Sequence, residues 1–114
     1  MLKSLKPLLL ILLCLTPLQA SPEVTMLVNP RITHQSTSVK IIIQKDEANR
    51  NLILEWYLFP GFENRKFWDI QGAQTERVFN YTINFTETGE WTVRAKLVKN
   101  NGNSKIDTTT VIVN

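Results

Sequence analysis

Cysteine and histidine are almost absent from this chain of 114 residues. The single cysteine is Cys14, and the single histidine is His34. A zinc site needs several such ligands, and nucleophilic catalysis needs a paired nucleophile and base, so neither chemistry is indicated. We therefore predict no catalytic residues, no metal site and no cofactor, and we interpret His34 as a loop residue.

The chain also lacks an excess of charge of either sign. The chain has 13 Lys+Arg and 10 Asp+Glu. Two of the lysines, Lys3 and Lys6, lie in the N-terminal leader, so residues 21–114 have 11 Lys+Arg against 10 Asp+Glu, a net charge of +1. Nucleic-acid binding requires a clustered positive surface, and the basic residues are not clustered. The composition therefore predicts no nucleic-acid partner.

No apolar run is long enough to span a membrane, which takes roughly 20 residues. The longest is Leu8 to Leu15, which follows Lys3 and Lys6 and precedes a small residue, Ala20. This order is typical of a secretory signal peptide, so we predict a signal at residues 1–20 and one domain at residues 21–114. The alternatives are an uncleaved anchor and a lipoprotein modified at Cys14, which the bulky preceding Leu13 disfavours. We expect a secreted protein, extracellular or periplasmic, with no membrane span after cleavage and no disulfides to stabilise it.

From residue 21 onward, apolar residues recur with a period of two. The alternating sets are Val24/Met26/Val28, Val39/Ile41/Ile43, Leu52/Leu54/Trp56/Leu58, Phe79/Tyr81/Ile83/Phe85 and Trp91/Val93/Ala95/Leu97, followed by a Thr-, Val- and Ile-rich stretch from Lys105 to Val113. Alternation of this kind predicts strands with one buried face. Trp56, Trp91, Tyr81 and Ile41 are predicted core residues.

Turn-forming residues separate these sets. Asn29-Pro30, the segment 46–51, Pro60-Gly61 and Thr88-Gly89 end or begin strands, and Asn101-Gly102 predicts a hairpin between the last two. Residues 63–74 show no clear pattern, and one short edge strand is expected near Phe67 to Ile70. We predict an all-β fold, an immunoglobulin-like antiparallel sandwich of two sheets and about seven strands, with a small barrel as the alternative.

Two segments resemble the immunoglobulin-like domains of secreted, often bacterial, proteins. Leu52-Ile53-Leu54-Glu55-Trp56 resembles the third strand with its buried tryptophan. Thr88-Gly89-Glu90-Trp91-Thr92-Val93-Arg94-Ala95 resembles the turn into the sixth strand of polycystic-kidney-disease-like domains. The chain lacks the paired cysteines of antibody-type domains, and Trp91 stands where a tyrosine corner is expected. The resemblance implies recognition, spacing or adhesion rather than catalysis.

Five aromatic residues lie close together around Pro60-Gly61, and they are the predicted ligand-binding residues: Tyr57, Phe59, Phe62, Phe67 and Trp68. Aromatic side chains outside a core often mark a binding patch. The alternative is that residues 63–74 fold back and these rings cover one another.

Three further groups have weaker functional interpretations. Asp46, Glu47, Asn49 and Asn51 offer oxygen ligands for Ca²⁺, although their spacing matches no EF-hand and a solvated turn is the simpler interpretation. Glu55 and Asp69 would be a glycosidase pair only across a cleft, which so small a sandwich is not expected to have. Asn80 and Asn84 begin Asn-x-Thr sequons and are glycosylation candidates if the source is eukaryotic.

The function predicted from these observations is that of a secreted, non-enzymatic binding or structural module. Its expected partner is a protein or carbohydrate at the cell surface or outside the cell. The alternative is a carbohydrate-binding module that uses the same surface aromatics. An enzyme or an enzyme inhibitor would need a cleft or a protruding loop, and neither is evident in the sequence.

Overall fold

A computed structural model describes residues 22–72 and 75–114. The described residues form strands joined by turns and short loops, without a helix. The strands are β1 (Val24–Asn29), β2 (Ile32–Thr33), β3 (Ser36–Ile43), β4 (Asn49–Leu58), β5 (Phe62–Asp69), β6 (Arg77–Asn84), β7 (Gly89–Lys99) and β8 (Ser104–Val113). The predicted signal peptide lies outside the described residues.

The strands form two separate sheets, one of three strands in the order β1-β3-β6 and one of five in the order β2-β8-β7-β4-β5. All pairings are antiparallel except that of β2 with β8. The predicted all-β, immunoglobulin-like two-sheet sandwich is therefore confirmed, and a barrel is not formed. The eighth strand is β2, which is only two residues long and leaves no periodic signal in the sequence.

The core lies between the two sheets and is built from the alternating sets. Trp91 and Ile41 are fully buried, Trp56 is buried, and Tyr81 is half-buried against the core. Burying one large apolar side chain contributes about 1.5–3 kcal/mol to stability. Buried and accessible residues alternate with a period of two along the long strands, because one face of each is buried. Strand β5 and the first half of β8 do not show this alternation.

Strand β5 corrects one prediction. The expected short strand near Phe67 to Ile70 is instead an eight-residue edge strand, Phe62–Asp69, paired along its length with β4, and Ile70 lies beyond its end. Nearly every residue of β5 is exposed. An edge strand with both faces in contact with water needs no apolar alternation, so the sequence gives no pattern to detect.

The start of β4 corrects another prediction. The sequence pattern predicts Asn49 in the loop 46–51, but Asn49 begins β4 and is only 1% exposed. A register shift between Asn49 and Asn51 places Asn49 opposite Lys99. Such a bulge turns a side chain to the other face of a sheet, and here Asn49 faces inward.

The predicted hairpin between the last two strands is confirmed, since β7 pairs with β8 in antiparallel register and the Gly102 N–H donates to the Lys99 carbonyl. Gly89, which begins β7, has a φ of +142°, and a Cβ there would lie 2.9 Å from Leu58 Cδ1. The positive φ favours glycine at this position, and a larger residue would also displace the end of the Leu58 side chain. Two residues later, the Trp91 indole N–H donates to the Glu87 carbonyl at 2.9 Å. This hydrogen bond to the backbone four residues upstream resembles that of a tyrosine corner.

Among residues 22–72 and 75–114, no helix has the length and hydrophobicity needed to cross a bilayer.

Candidate functional site

The five predicted ligand-binding aromatics do not form one patch. Side chains on facing positions of β4 and β5 share a sheet face, and Phe62 and Trp68 lie opposite the inward residues Leu58 and Leu52. Phe67 lies opposite Ile53 on the other face. The β4–β5 hairpin therefore divides residues that are close in sequence between the two faces of one sheet.

Trp68 packs against the sandwich interior, whereas Phe62 lies at its exposed margin. The Trp68 ring centroid lies 5.4 Å from that of Phe79 and 6.1 Å from that of Tyr81, which connects β5 with β6 of the other sheet. Phe62 lies 6.3 Å from Trp91 but keeps 44% of its surface exposed. A ligand could contact Trp68 only at the part of its ring that Phe79 and Tyr81 leave accessible.

The other three aromatics are accessible from outside. Tyr57 is half-buried on the outward face of β4, and Phe67 is 52% exposed on the outward face of β5. Phe59, in the β4–β5 turn, is 87% exposed. Exposed rings in a turn and on a sheet face are available for contacts with a ligand.

A small groove lies where the β4–β5 turn meets the sheet, and we call it the turn groove. Its volume is about 330 Å³, and its lining includes Tyr57, Phe59, Phe62, Glu55 and Arg94. Arg94 donates to Glu55 Oε1 from Nε at 3.1 Å and from Nη2 at 2.9 Å. Glu55 is only 8% exposed, and this charge-assisted pairing compensates for its partial loss of hydration.

The same pair belongs to the solvent-facing side of the five-stranded sheet, which we call the outer face. Cross-strand register aligns Phe67, Ile53, Lys96 and Ile106 in one row across four strands. Phe67 and Ile106 are 52% and 50% exposed. The next row holds Arg65, Glu55, Arg94 and Thr108. The outer face thus places a row of three large apolar residues and Lys96 beside a row that holds Arg65, Glu55 and Arg94.

Sequence reasoning missed the contribution of Ile53, Arg94 and Ile106 to this surface. The signal available was the run Leu52-Ile53-Leu54, which is apolar at consecutive positions and therefore apolar on both faces of the strand. Ile106 gave no such signal, because its position opposite Lys96 depends on the register of the β7–β8 hairpin.

Glu55 and Asp69 are not placed as a catalytic pair. Glu55 is opposite Arg65, and Asp69 lies four residues further along β5. At the rise of an extended strand this corresponds to roughly 13 Å along the strand. Glu55 is also held by Arg94, so these two carboxylates do not face each other across a cleft.

The oxygen-rich loop proposed for Ca²⁺ holds an ammonium group instead. Lys99 Nζ lies 2.6 Å from Asn49 Oδ1 and 2.9 Å from Asp46 Oδ2. It also lies 2.6 Å from Glu23 Oε1, just before β1. Two of the four proposed ligands therefore already bind a cation that belongs to the protein. Among residues 22–72 and 75–114, no three His, Cys, Asp or Glu side chains are grouped as a metal site would require.

The ionisation of Glu23, Asp46 and Lys99 follows from their contacts with one another and with the backbone. The hydrogen bond with Lys99 lowers the pKa of Glu23, and partial burial opposes that effect. The backbone N–H of Ala48, followed by Lys99, lowers the pKa of Asp46. Burial acts to lower the pKa of Lys99, but its hydrogen bonds with Glu23 and Asp46 outweigh burial and raise it. All three groups are therefore charged at neutral pH.

The remaining candidates lie at the surface. Asn80 and Asn84 are exposed on the outward side of β6. His34 is exposed in the turn between β2 and β3.

Comparison with known proteins gives a likeness of fold alone. The sequence matches no family model, and no curated protein is significantly similar to it. The fold is similar to that of Spo0M, the sporulation control protein from Bacillus subtilis, with a TM-score of 0.54 and 14% sequence identity. The match covers 83% of this chain and 50% of the Spo0M chain. A two-sheet β-sandwich is the property that the two chains share, and the polycystic-kidney-disease-like resemblance remains a prediction.

Proposed function

We propose that residues 21–114 form a non-enzymatic binding module that contacts a partner protein through the outer face of the five-stranded sheet. The observation that carries this proposal is the row of Phe67, Ile53, Lys96 and Ile106, whose two end members are each about half exposed. Large apolar side chains aligned on a solvent-facing sheet are a typical feature of protein contact surfaces.

The neighbouring charged row supports a protein partner rather than a small molecule. Protein interfaces combine an apolar centre with polar groups at the rim. Arg65 and Arg94 supply such groups, and the Glu55 carboxylate between them already holds Arg94 in a defined orientation. A small ligand would instead require a deep pocket, whereas this surface is an open sheet face.

The proposed location is outside the cytoplasm. It is supported by the leader pattern of residues 1–20. The sporulation-control role of Spo0M stays with that protein, since a shared fold does not determine function.

The test uses two residues of equal exposure on opposite sheets. Phe67 lies on the outer face, and Leu27 lies on β1 of the three-stranded sheet; each is 52% exposed. Biotinylated residues 21–114, with the F67K and L27K variants, are incubated with the secreted and cell-surface fraction of the source organism. Captured proteins are quantified by mass spectrometry.

We expect F67K to reduce capture of the specific partner by at least about tenfold, corresponding to ~1.4 kcal/mol. L27K is expected to retain it. Equal loss in both variants, or no loss in F67K, contradicts a contact through the outer face. Circular dichroism confirms that both variants fold.

A carbohydrate ligand is the second candidate, and the turn groove favours it. Sugar rings stack on aromatic faces while their hydroxyl groups hydrogen-bond to nearby charged side chains, and Tyr57 and Phe59 stand beside the Glu55–Arg94 pair. A glycan array tests this ligand class, with Y57A and F59A expected to abolish any specific signal. An array without specific binding rejects it.

A further inference from the structure

The two sheets have four edges in total, and three of them are protected against pairing with another strand. At β1 the Met26 backbone N–H donates to Asp107 Oδ2 at 2.8 Å. Strand β2 is two residues long, and β5 carries four charged residues among its eight. Short strands, edge charges and inward-pointing carboxylates are known ways to prevent edge-to-edge association.

Strand β6 is neither short nor protected by a carboxylate, and its one charge lies at its first position. It is eight residues long and forms one edge of the three-stranded sheet, and within residues 22–72 and 75–114 its one hydrogen-bonded neighbour is β3. Its single charged residue is Arg77, at the first position, and the Arg77 guanidinium lies 4.9 Å from the centroid of Phe79. Phe79 is buried, so Arg77 is drawn over the inward face. The outward side chains of β6 are Val78, Asn80, Thr82 and Asn84.

We propose that the free edge of β6 pairs antiparallel with β6 of a second copy of this chain. The two three-stranded sheets would then form one continuous six-stranded sheet about a two-fold axis. An isologous contact of this kind needs only a surface that is complementary to itself.

The sequence of β6 meets that requirement. Inward residues must lie opposite inward residues, so the two-fold axis passes at a residue and not between two residues. The two residues nearest the middle of β6, which give the longest pairing, are Asn80 and Tyr81. Centred on Tyr81, the pairing places Asn80 opposite Thr82 and Phe79 opposite Ile83. Centred on Asn80, it places Asn80 opposite itself and Phe79 opposite Tyr81. In neither register do two like charges face each other, and polar and β-branched pairs of this kind stabilise adjacent strands.

Long-range electrostatics do not oppose the contact. Residues 21–114 carry 11 Lys+Arg and 10 Asp+Glu, a net charge of +1. Repulsion between two copies is accordingly small. The charge on β5, the edge strand of the other sheet, makes it a poor alternative for the same pairing.

The test measures self-association of residues 21–114 produced in a bacterial host, so that Asn80 and Asn84 carry no glycans. Sedimentation equilibrium is recorded from micromolar to millimolar concentration. The N80K/T82K variant places lysines opposite each other in both registers, and N80E/T82E is its acidic counterpart. T108K/T110K is the matched control, since Thr108 and Thr110 are exposed strand residues on the other sheet.

We expect a concentration-dependent dimer, weakened at least about tenfold in N80K/T82K and unchanged in T108K/T110K. An equimolar mixture of N80K/T82K and N80E/T82E is expected to restore the dimer as a heterodimer. Restoration by mixing separates a direct contact from a folding defect, because a misfolded variant is not rescued by its partner.

A disulfide gives an independent readout. Residues 21–114 contain no cysteine, so a single introduced thiol can be oxidised only with another copy. Facing residues of paired strands are close enough for a disulfide. In the register centred on Asn80, we expect N80C alone to form a covalent dimer under mild oxidation; in the register centred on Tyr81, we expect a mixture of N80C and T82C to do so. T108C is expected to remain monomeric in either case. A monomer at every concentration, or equal behaviour of N80K/T82K and T108K/T110K, overturns the proposal.

Discussion

The two ends of β7 are both anchored in the interior, but by different chemistry. Near its start, Trp91 is fully buried against Phe85, with ring centroids 5.1 Å apart, and its indole N–H binds the Glu87 carbonyl. At its end, Lys99 is 7% exposed and its ammonium group binds oxygens of Asn49, Asp46 and Glu23.

The two anchors differ in whether their stability depends on ionisation. Burial of Trp91 removes apolar surface from water and does not involve ionisation. The Lys99 anchor depends on two carboxylates that remain partly exposed, so part of their hydration is retained and each ion pair is weaker than a fully buried one. One strand therefore joins the sheets by apolar packing at one end and by ionic contacts at the other.

Removing the aromatic anchor should have the largest effect. W91A is expected to lower the free energy of unfolding by about 3–5 kcal/mol, since it deletes a large buried side chain and leaves a cavity. Denaturant unfolding followed by circular dichroism measures the change. W91F keeps most of the apolar contact and is expected to lose less; a W91A protein with nearly unchanged stability contradicts the role assigned to Trp91.

Removing the ionic anchor should have a smaller effect. K99M keeps an unbranched chain but loses the hydrogen bonds of the ammonium group, and we expect a loss of about 1–3 kcal/mol. K96M is the matched control on the outward side of the same strand, with an expected change within about 0.5 kcal/mol. Equal effects of K99M and K96M would show that the contacts of Lys99 do not stabilise the fold.

The pH dependence distinguishes the two anchors. The pKa values of Glu23 and Asp46 are lowered in the folded protein, so their stabilisation is present above the ordinary carboxylate pKa and is lost as pH falls through the lowered values. The pKa of Lys99 is raised, so its stabilisation is present below the ordinary lysine pKa and is lost as pH rises through the raised value. We expect the stability of K99M to vary less than that of the unmodified chain at both extremes, whereas W91F should vary as the unmodified chain does. Parallel pH profiles for K99M and the unmodified chain would contradict this assignment.

The smallest effect on stability is expected on the outer face. F67A should change the free energy of unfolding by no more than about 0.5 kcal/mol, because Phe67 is half exposed on an edge strand. Thermal unfolding measures the change. A large loss would place Phe67 in the structural framework and would weaken its assignment to a binding surface.

The sequence predicted the strands that have one buried face, because burial imposes a period of two on them. Leu52, Leu54 and Trp56 are the clearest case, and all three are buried. The same reasoning failed for β5, in which every residue except Trp68 is exposed, and it missed the bulge that turns Asn49 inward.

The candidate site was predicted less completely than the fold. Nearness in sequence grouped Phe67 with Trp68, but consecutive residues of a strand point to opposite faces. The outer row depends on the register of three strand pairings, and Lys99 meets Asp46 across 53 positions of sequence. Patterns within a short stretch of sequence cannot reveal contacts between residues that are so far apart along the chain.

The most direct test of a binding role for the outer face is a backbone amide NMR titration of residues 21–114 with the captured partner. We expect the chemical-shift changes to concentrate around Ile53, Phe67, Lys96 and Ile106. Changes confined to β1, β3 and β6 would contradict it.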